Sequence, residues 1–120
     1  MPAAQVGASP PVTVQVEVEY LLGKVASSDC RFYRNGTWYE APRAVEHLRY
    51  KYEALVARDL VKTTEDFIEL GATRSSLSGR AYQIKCADHA AVPSNQWLRE
   101  ELARERQGRD HGAVIIRPRP

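Results

Sequence analysis

The first apolar stretch of the chain, residues 12–28, fits two kinds of secondary structure. Valines alternate with polar residues at Val12, Val14, Val16 and Val18. This alternation is the period of a half-buried strand. The same stretch also has apolar residues at the spacing of one helical face, at Val14, Val18, Leu21, Leu22 and Val25. The pattern alone leaves strand and helix about equally favoured.

The next segment predicts a β-hairpin. Two aromatic-rich runs, residues 31–34 and residues 37–40, flank Asn35-Gly36. Both turn residues tolerate the positive φ that a type I′ turn requires, and Asn-Gly between such runs is the strongest short hairpin signal. Residues 81–86 indicate a third strand, which we expect to pair with the hairpin.

Three helices are predicted after the hairpin. Pro42 suits a first helical turn, because its missing N–H has no intrahelical acceptor there, and an amphipathic pattern runs on to about Leu60. Thr63 or Thr64 can cap a second helix. Pro93-Ser94 introduces a last helix, with Ser94 as its cap, which ends at about Arg106.

These elements predict one α+β domain over residues 12–106, in the order α-β-β-α-α-β-α. The sheet is three-stranded and mainly antiparallel, and about four helices cover it. A chain of 120 residues has enough length for one core. Residues 1–11 are predicted as a flexible leader and residues 107–120 as a flexible C-terminal tail, with residues 114–116 as an alternative edge strand.

Charge and hydropathy exclude two classes of partner. Lys and Arg number 17 and Asp and Glu 15, a formal charge of +2, and both signs are interspersed along most of the chain. A nucleic-acid surface needs clustered basic residues, so we expect no nucleic-acid partner. The apolar runs fall far short of the roughly 20 residues that span a bilayer, so we expect no membrane span. We also expect a monomer.

Three ordered motifs resemble the YfeK-like family of small bacterial proteins, which has no established function. They are Cys-Arg-Phe-Tyr-Arg-Asn-Gly at residues 30–36, Ala-Val-Glu-His-Leu-Arg-Tyr-Lys at residues 44–51, and Thr-Glu-Asp-Phe-Ile at residues 64–68 running into Ser-Ser-Leu-Ser-Gly-Arg-Ala-Tyr at residues 75–82. The resemblance covers about residues 14–106. One departure is Ala41-Pro42, where the family has a Ser-type helix cap.

The resemblance implies a periplasmic protein whose first segment is a helix. Members usually carry a signal peptide, whereas residues 1–11 contain no apolar secretory signal. We therefore expect that a signal has been removed, with a cytoplasmic location as the alternative. The family supplies no catalytic residues.

The two cysteines, Cys30 and Cys86, predict a disulfide if the first and third strands are neighbours. The closed loop of about 57 residues would then stabilise the fold by roughly 4 kcal/mol on the chain-entropy model. The alternative is two buried thiols. We expect no metal and no cofactor, because the cysteines lack C-x-x-C spacing and no histidine pair completes four ligands.

Several polar residues without an obvious structural role predict a binding site. They are Arg34, His47, Ser75, Ser76, Ser78 and Arg80. Hydroxyl, backbone N–H and guanidinium groups can bind an anion or a sugar. The alternative is a loop that only ends a helix and turns the chain. An exposed aromatic sheet face would suit stacking on sugars or bases, unless a helix covers it.

The sequence leaves three functions open. Our leading hypothesis is a non-enzymatic periplasmic binding or interaction module, with an envelope ligand or protein as its partner, because no catalytic constellation is recognisable. The second is a small envelope hydrolase with His47 as base and Ser76 or Ser78 as nucleophile. The third is a periplasmic folding or stress accessory that binds unfolded chains by an exposed sheet edge.

Overall fold

The computed structural model describes the backbone of residues 9–116 and the side chains of residues 9–109. Within these residues the chain forms α1 (Val12–Ser27), β1 (Cys30–Arg34), β2 (Thr37–Tyr39), α2 (Ala41–Ala57), α3 (Thr64–Gly71), β3 (Gln83–Cys86), β4 (Val92–Pro93) and α4 (Ser94–Ile116). The α+β class and the four helices are as predicted. Most of the predicted leader, residues 1–8, and the last part of the predicted tail, residues 117–120, lie outside the described residues.

The first apolar stretch is a helix. Its predicted helical face is buried throughout, at Val14, Val18, Leu21, Leu22 and Val25. The two valines that completed the strand-like alternation, Val12 and Val16, are 73% and 51% exposed. Burying an apolar side chain contributes about 1.5 to 3 kcal/mol, which exceeds the few tenths of a kcal/mol, roughly, by which valine disfavours a helix.

The sheet is antiparallel with strand order β2-β1-β3-β4. Asn35 and Gly36 have φ of 52° and 90° and connect β1 to β2 as the predicted hairpin. The positive φ at both positions is the geometry that made Asn-Gly the hairpin signal. The third strand, predicted over residues 81–86, ends at Cys86 as expected but begins at Gln83, while Ala81 forms an isolated bridge with Arg74.

The prediction of three strands was wrong, because Val92 and Pro93 form a fourth. They pair with Ile84 and Gln83, respectively, and change the element order to α-β-β-α-α-β-β-α. A strand of two residues cannot show an alternating pattern. Proline lacks the N–H of a ladder, and it is tolerated here because β4 is the edge of the sheet.

The predicted disulfide is confirmed. Cys30 and Cys86 are directly opposite each other in β1 and β3 and are joined by an S–S bond. The bond therefore fixes the register of the two central strands.

The last helix continues to Ile116, well past the predicted end at about Arg106. The apolar pattern stops at Leu102, which is why the sequence placed the helix end early. The turns after Leu102 are stabilised by ion pairs instead, because Arg106 and Arg109 both bind the buried carboxylate of Glu17 in α1. Residues 114–116 are the end of this helix and not an edge strand. The proposed division into a domain and a tail stays a prediction.

Helix α2 lies against α1, α3 and β1, which brings one of its faces close to the hairpin. The candidate site is at this contact. Within the described residues, no helix has the length and apolar character that crossing a membrane requires.

Candidate functional site

A pocket of about 220 Å³ lies where the hairpin meets α2. It is lined among others by Arg34, Tyr39, Arg43, His47, Tyr82 and Ser94. We call it the hairpin pocket. Ligand pockets usually have volumes of about 300 to 1,000 Å³, so this smaller pocket suits a small ligand or one group of a larger one.

Helix α2 contributes three basic residues at one-turn intervals. Arg43, His47 and Lys51 follow the i, i+4, i+8 spacing that places side chains on the same helical face. Arg43 and His47 line the hairpin pocket, and Lys51 lies one turn further along.

Tyr82 faces this row of residues from the chain just before β3. Its backbone is fixed on both sides, because its N–H donates to Thr73 O and its carbonyl accepts from Ser94 N–H, each at 2.9 Å. The side chain is buried. The phenol is therefore held in place rather than free at the surface.

The Tyr82 hydroxyl connects His47 to Lys51. It lies 3.1 Å from His47 Nε2 and 3.4 Å from Lys51 Nζ. A lysine ammonium can only donate, so the phenol oxygen accepts from Lys51. Between the phenol and His47, either the hydroxyl donates to Nε2 or an Nε2–H donates to the phenol oxygen, according to the tautomer of the imidazole.

Burial and nearby positive charge keep His47 neutral. Burial is the main cause that lowers the pKa of His47 to about 4, and the charges of Arg34 and Lys51 add to it. Burial and Arg34 also lower the pKa of Lys51, and burial raises the pKa of Tyr82. At neutral pH the imidazole is therefore uncharged and the phenol protonated.

The site has an excess of positive charge. Among the described residues, neither Arg34 nor Lys51 has a carboxylate within ion-pair distance. Arg34 instead lies over the ring of Tyr39, 5.2 Å from its centroid, and Arg43 lies 5.7 Å from the same centroid. Glu46 also lines the pocket and pairs with Arg43 at 3.7 Å, so Arg34 is the lining cation that has no carboxylate partner among the described residues.

Comparison with protein families identifies the chain at the family level. Residues 12–106 match DUF5329, which is described as a family of unknown function. The chain belongs to DUF5329. The match spans nearly the same residues as the resemblance noted in the sequence, but it does not support the YfeK-like name or an exported bacterial origin. No curated protein and no solved structure matches the chain.

The loop over residues 75–80 of this DUF5329 chain, the serine loop, gives its three serines different contacts. Ser75 is buried, and its hydroxyl accepts from the N–H groups of Leu77 and Ser78. Ser76 is exposed and accepts from Lys51 Nζ at 3.0 Å. Ser78 donates to Asn35 Oδ1 in the hairpin turn. Ser76 is therefore the serine that the loop presents to α2.

The predicted site residues are brought together in part. Arg34 and His47 line the hairpin pocket, and Ser76 reaches it through Lys51 and Tyr82. The Arg80 guanidinium lies beside Gly36, where an added Cβ would be 3.6 Å from its Nη1. Ser75, Ser78 and Arg80 thus contact the loop and the hairpin turn rather than the pocket.

Sequence reasoning missed two central members of the DUF5329 site, Lys51 and Tyr82. The spacing of Arg43, His47 and Lys51 was a usable signal, since three basic residues on one helical face of a partly buried helix are unusual. Tyr82 had no local signal, because it meets His47 across a separation of 35 residues. The described residues contain no group of three His, Cys, Asp or Glu side chains placed to hold a metal.

Proposed function

We propose that the protein is a binding module that acts in the bacterial periplasm and that its hairpin pocket holds a small anionic ligand. The observation that carries this proposal is the positive charge of Arg34 in the pocket lining, with Lys51 nearby on α2, since neither has a carboxylate partner among the described residues. An anion there would gain charge-assisted hydrogen bonds and offset the repulsion between these groups.

The hydrogen-bonding groups of the pocket favour a ligand that accepts. The Arg34 guanidinium can only donate, and His47 Nδ1 has no hydrogen-bond partner among the described residues. Tyr33 and Tyr39 add aromatic surface to the lining. Together these groups suit a carboxylate or phosphate attached to a small flat or apolar body.

The disulfide supports the proposed location. Structural disulfides persist in oxidising compartments and are rare in the reducing cytosol. Cys30 and Cys86 form such a bond between the two central strands.

The test is a ligand screen with a charge-matched control. Small carboxylates and phosphate monoesters are screened by thermal shift, and the best is titrated by calorimetry against Arg34→Gln. The loss of a charged hydrogen bond, about 1.5 to 3 kcal/mol, should weaken binding at least roughly tenfold.

Arg31→Gln is the control, because it removes the same charge from the same strand. Arg31 is exposed and contacts Glu40 at 3.6 Å, away from the pocket lining. The affinity of Arg31→Gln for the anion should match that of the wild type. Equal weakening by both substitutions, or no binding by any anion in the screen, would show that the proposal is wrong.

The alternative functions have less support from these contacts. An envelope hydrolase with His47 as base needs a serine beside the imidazole, but His47 Nε2 contacts Tyr82, and no hydrogen bond among the described residues joins His47 to Ser76 or Ser78. A folding accessory needs a free sheet edge, and the two edge strands contain only three and two residues.

A further inference from the structure

The hydroxyl of Ser76 lies against the amino group of Lys51, which also contacts Tyr82, a residue of the hairpin pocket. Lys51 Nζ is 3.0 Å from Ser76 Oγ and 3.4 Å from the Tyr82 hydroxyl. Ser76 is exposed, whereas Lys51 is half-buried. A serine becomes nucleophilic when an adjacent base takes its proton, and lysine serves as that base in Ser-Lys enzymes.

We propose that Ser76 is a nucleophile activated by Lys51, and that the site accepts acyl groups from small esters or amides that carry an anionic group. The reactivity of Ser76 goes beyond the proposed binding function. The preference for an anionic substrate rests on the proposed binding function, because the anionic group of the substrate would lie in the hairpin pocket beside Arg34.

The reaction uses groups already present. Ser76 Oγ–H gives its proton to the uncharged Lys51 amine while Oγ forms a bond to the carbonyl carbon. The bond from that carbon to the alcohol or amine leaving group then breaks, and the leaving group takes the proton from the Lys51 ammonium. Water attacks the acyl-serine in the same way, with Lys51 receiving its proton and returning it to Ser76 as the free acid leaves.

Lys51 has surroundings that favour its amine form. Burial lowers its pKa, and Arg34 of β1 adds to the effect. The other groups beside it, Tyr82 and His47, are both uncharged at neutral pH and provide no carboxylate that would stabilise the ammonium. A partly deprotonated lysine is the state that general-base chemistry requires.

The serine loop fixes Ser76 and leaves a donor free. The Ser75 hydroxyl bonds the N–H groups of Leu77 and Ser78, and Ser78 is tied to Asn35. The Ser76 N–H itself has no acceptor among the described residues. A backbone N–H of the nucleophile is one of the donors that stabilise the oxyanion of a tetrahedral intermediate.

The experiment uses the full oxidised chain and a biotinylated alkyl fluorophosphonate. With this probe Ser76 Oγ bonds to phosphorus, fluoride leaves and Lys51 takes the serine proton. The modified residue is located by peptide mass spectrometry. We expect the label on Ser76, none there in Ser76→Ala, and wild-type labelling in Ser27→Ala, which removes an exposed serine hydroxyl at the end of α1, outside the serine loop.

The Lys51→Arg substitution tests whether labelling depends on Lys51 as a base or only on its positive charge. The guanidinium keeps the positive charge but stays protonated, so labelling should slow about a hundredfold. In the wild type the labelling rate should rise with pH, because the amine form of Lys51 increases, with a midpoint below the usual lysine value of about 10.4. Circular dichroism checks that each variant is folded.

The outcomes separate this inference from the proposed function. No label on Ser76 from neutral to alkaline pH, or wild-type labelling in folded Lys51→Arg, would overturn it. Anion affinity measured by calorimetry should be retained in Ser76→Ala. If the wild type binds the anion but carries no label on Ser76, the nucleophile alone is refuted, whereas lost anion binding in Arg34→Gln and Arg31→Gln alike would refute the binding proposal.

Discussion

Glu17 of α1 and Arg106 of α4 form an ion pair between residues 89 positions apart in the chain. Only 3% of the Glu17 side chain is exposed. Its carboxylate accepts from Arg106 Nε at 2.9 Å, from Arg109 and from the Thr64 hydroxyl. Arg106 also donates to Glu65 Oε2 at 2.7 Å. One buried carboxylate thus joins three helices.

Glu17→Gln should lower the free energy of unfolding by about 3 kcal/mol, because the substitution leaves Arg106 and Arg109 without their shared buried partner. Urea denaturation measures the change. Glu19→Gln is the matched control: Glu19 lies on the same helix and pairs with Arg49, but both side chains are about half exposed. That variant should lose less than about 1 kcal/mol. Equal losses of stability in the two variants would contradict the larger contribution expected from the buried carboxylate of Glu17.

The same carboxylate predicts a specific acid sensitivity. Arg106 is the main cause that lowers the pKa of Glu17 from 4.5 to about 2, with Thr64 and Arg109 adding to it. Since the folded pKa lies below the unfolded one, the stabilisation is present above pH 4.5 and is lost as the pH falls to about 2. The free energy of unfolding, measured at a series of pH values, should fall less steeply over this interval in Glu17→Gln than in the wild type. If the slope of unfolding free energy against pH in Glu17→Gln equals that of the wild type, Glu17 is not the source of the acid sensitivity.

His47 should titrate far below an ordinary histidine. NMR titration of its ring should give a pKa of about 4 in the ligand-free protein. Lys51→Met and Arg34→Gln should each raise the pKa, while burial, the main cause of the shift, keeps it below 6.5. The folded pKa lies below the unfolded one, so the neutral ring contributes stability above pH 6.5 that is lost towards pH 4. A pKa near 6.5 would refute the buried site.

Loss of the disulfide should reduce stability without changing the fold. Cys30→Ala with Cys86→Ala should lower the free energy of unfolding by about 4 kcal/mol, because the unfolded chain regains the freedom of a long loop. Urea denaturation with and without a reductant provides the comparison. Reduced wild type should resemble the double variant. Identical midpoints for the oxidised and reduced wild type would contradict the expected contribution.

Much of the fold could be predicted because it depends on local patterns. The buried face of α1 follows from apolar spacing, and the hairpin follows from the positive φ that Asn35 and Gly36 tolerate. Cys30 and Cys86 could be paired once β1 and β3 were taken as neighbours. Strand β4 could not be predicted, because its two residues carry no periodicity and one of them is Pro93.

The candidate site could be predicted only where its residues share an element. Arg34 and His47 were identified, and Lys51 was within reach from its spacing on α2. The bond between His47 and Tyr82 depends on how β3 is placed against α2, which no local pattern shows. The end of α4 could not be predicted from a local pattern either, because Arg106 of this helix binds Glu17, which is 89 positions away in the sequence.

The Glu17 carboxylate also limits the order in which the helices can pack. If α1, α2 and α3 packed before α4, they would enclose this carboxylate with Thr64 as its neighbour but without a cation. A buried carboxylate without a positive partner is strongly unfavourable. The core should therefore stay open around α1 until α4 docks, so the docking of α4 is expected to be a late step of folding.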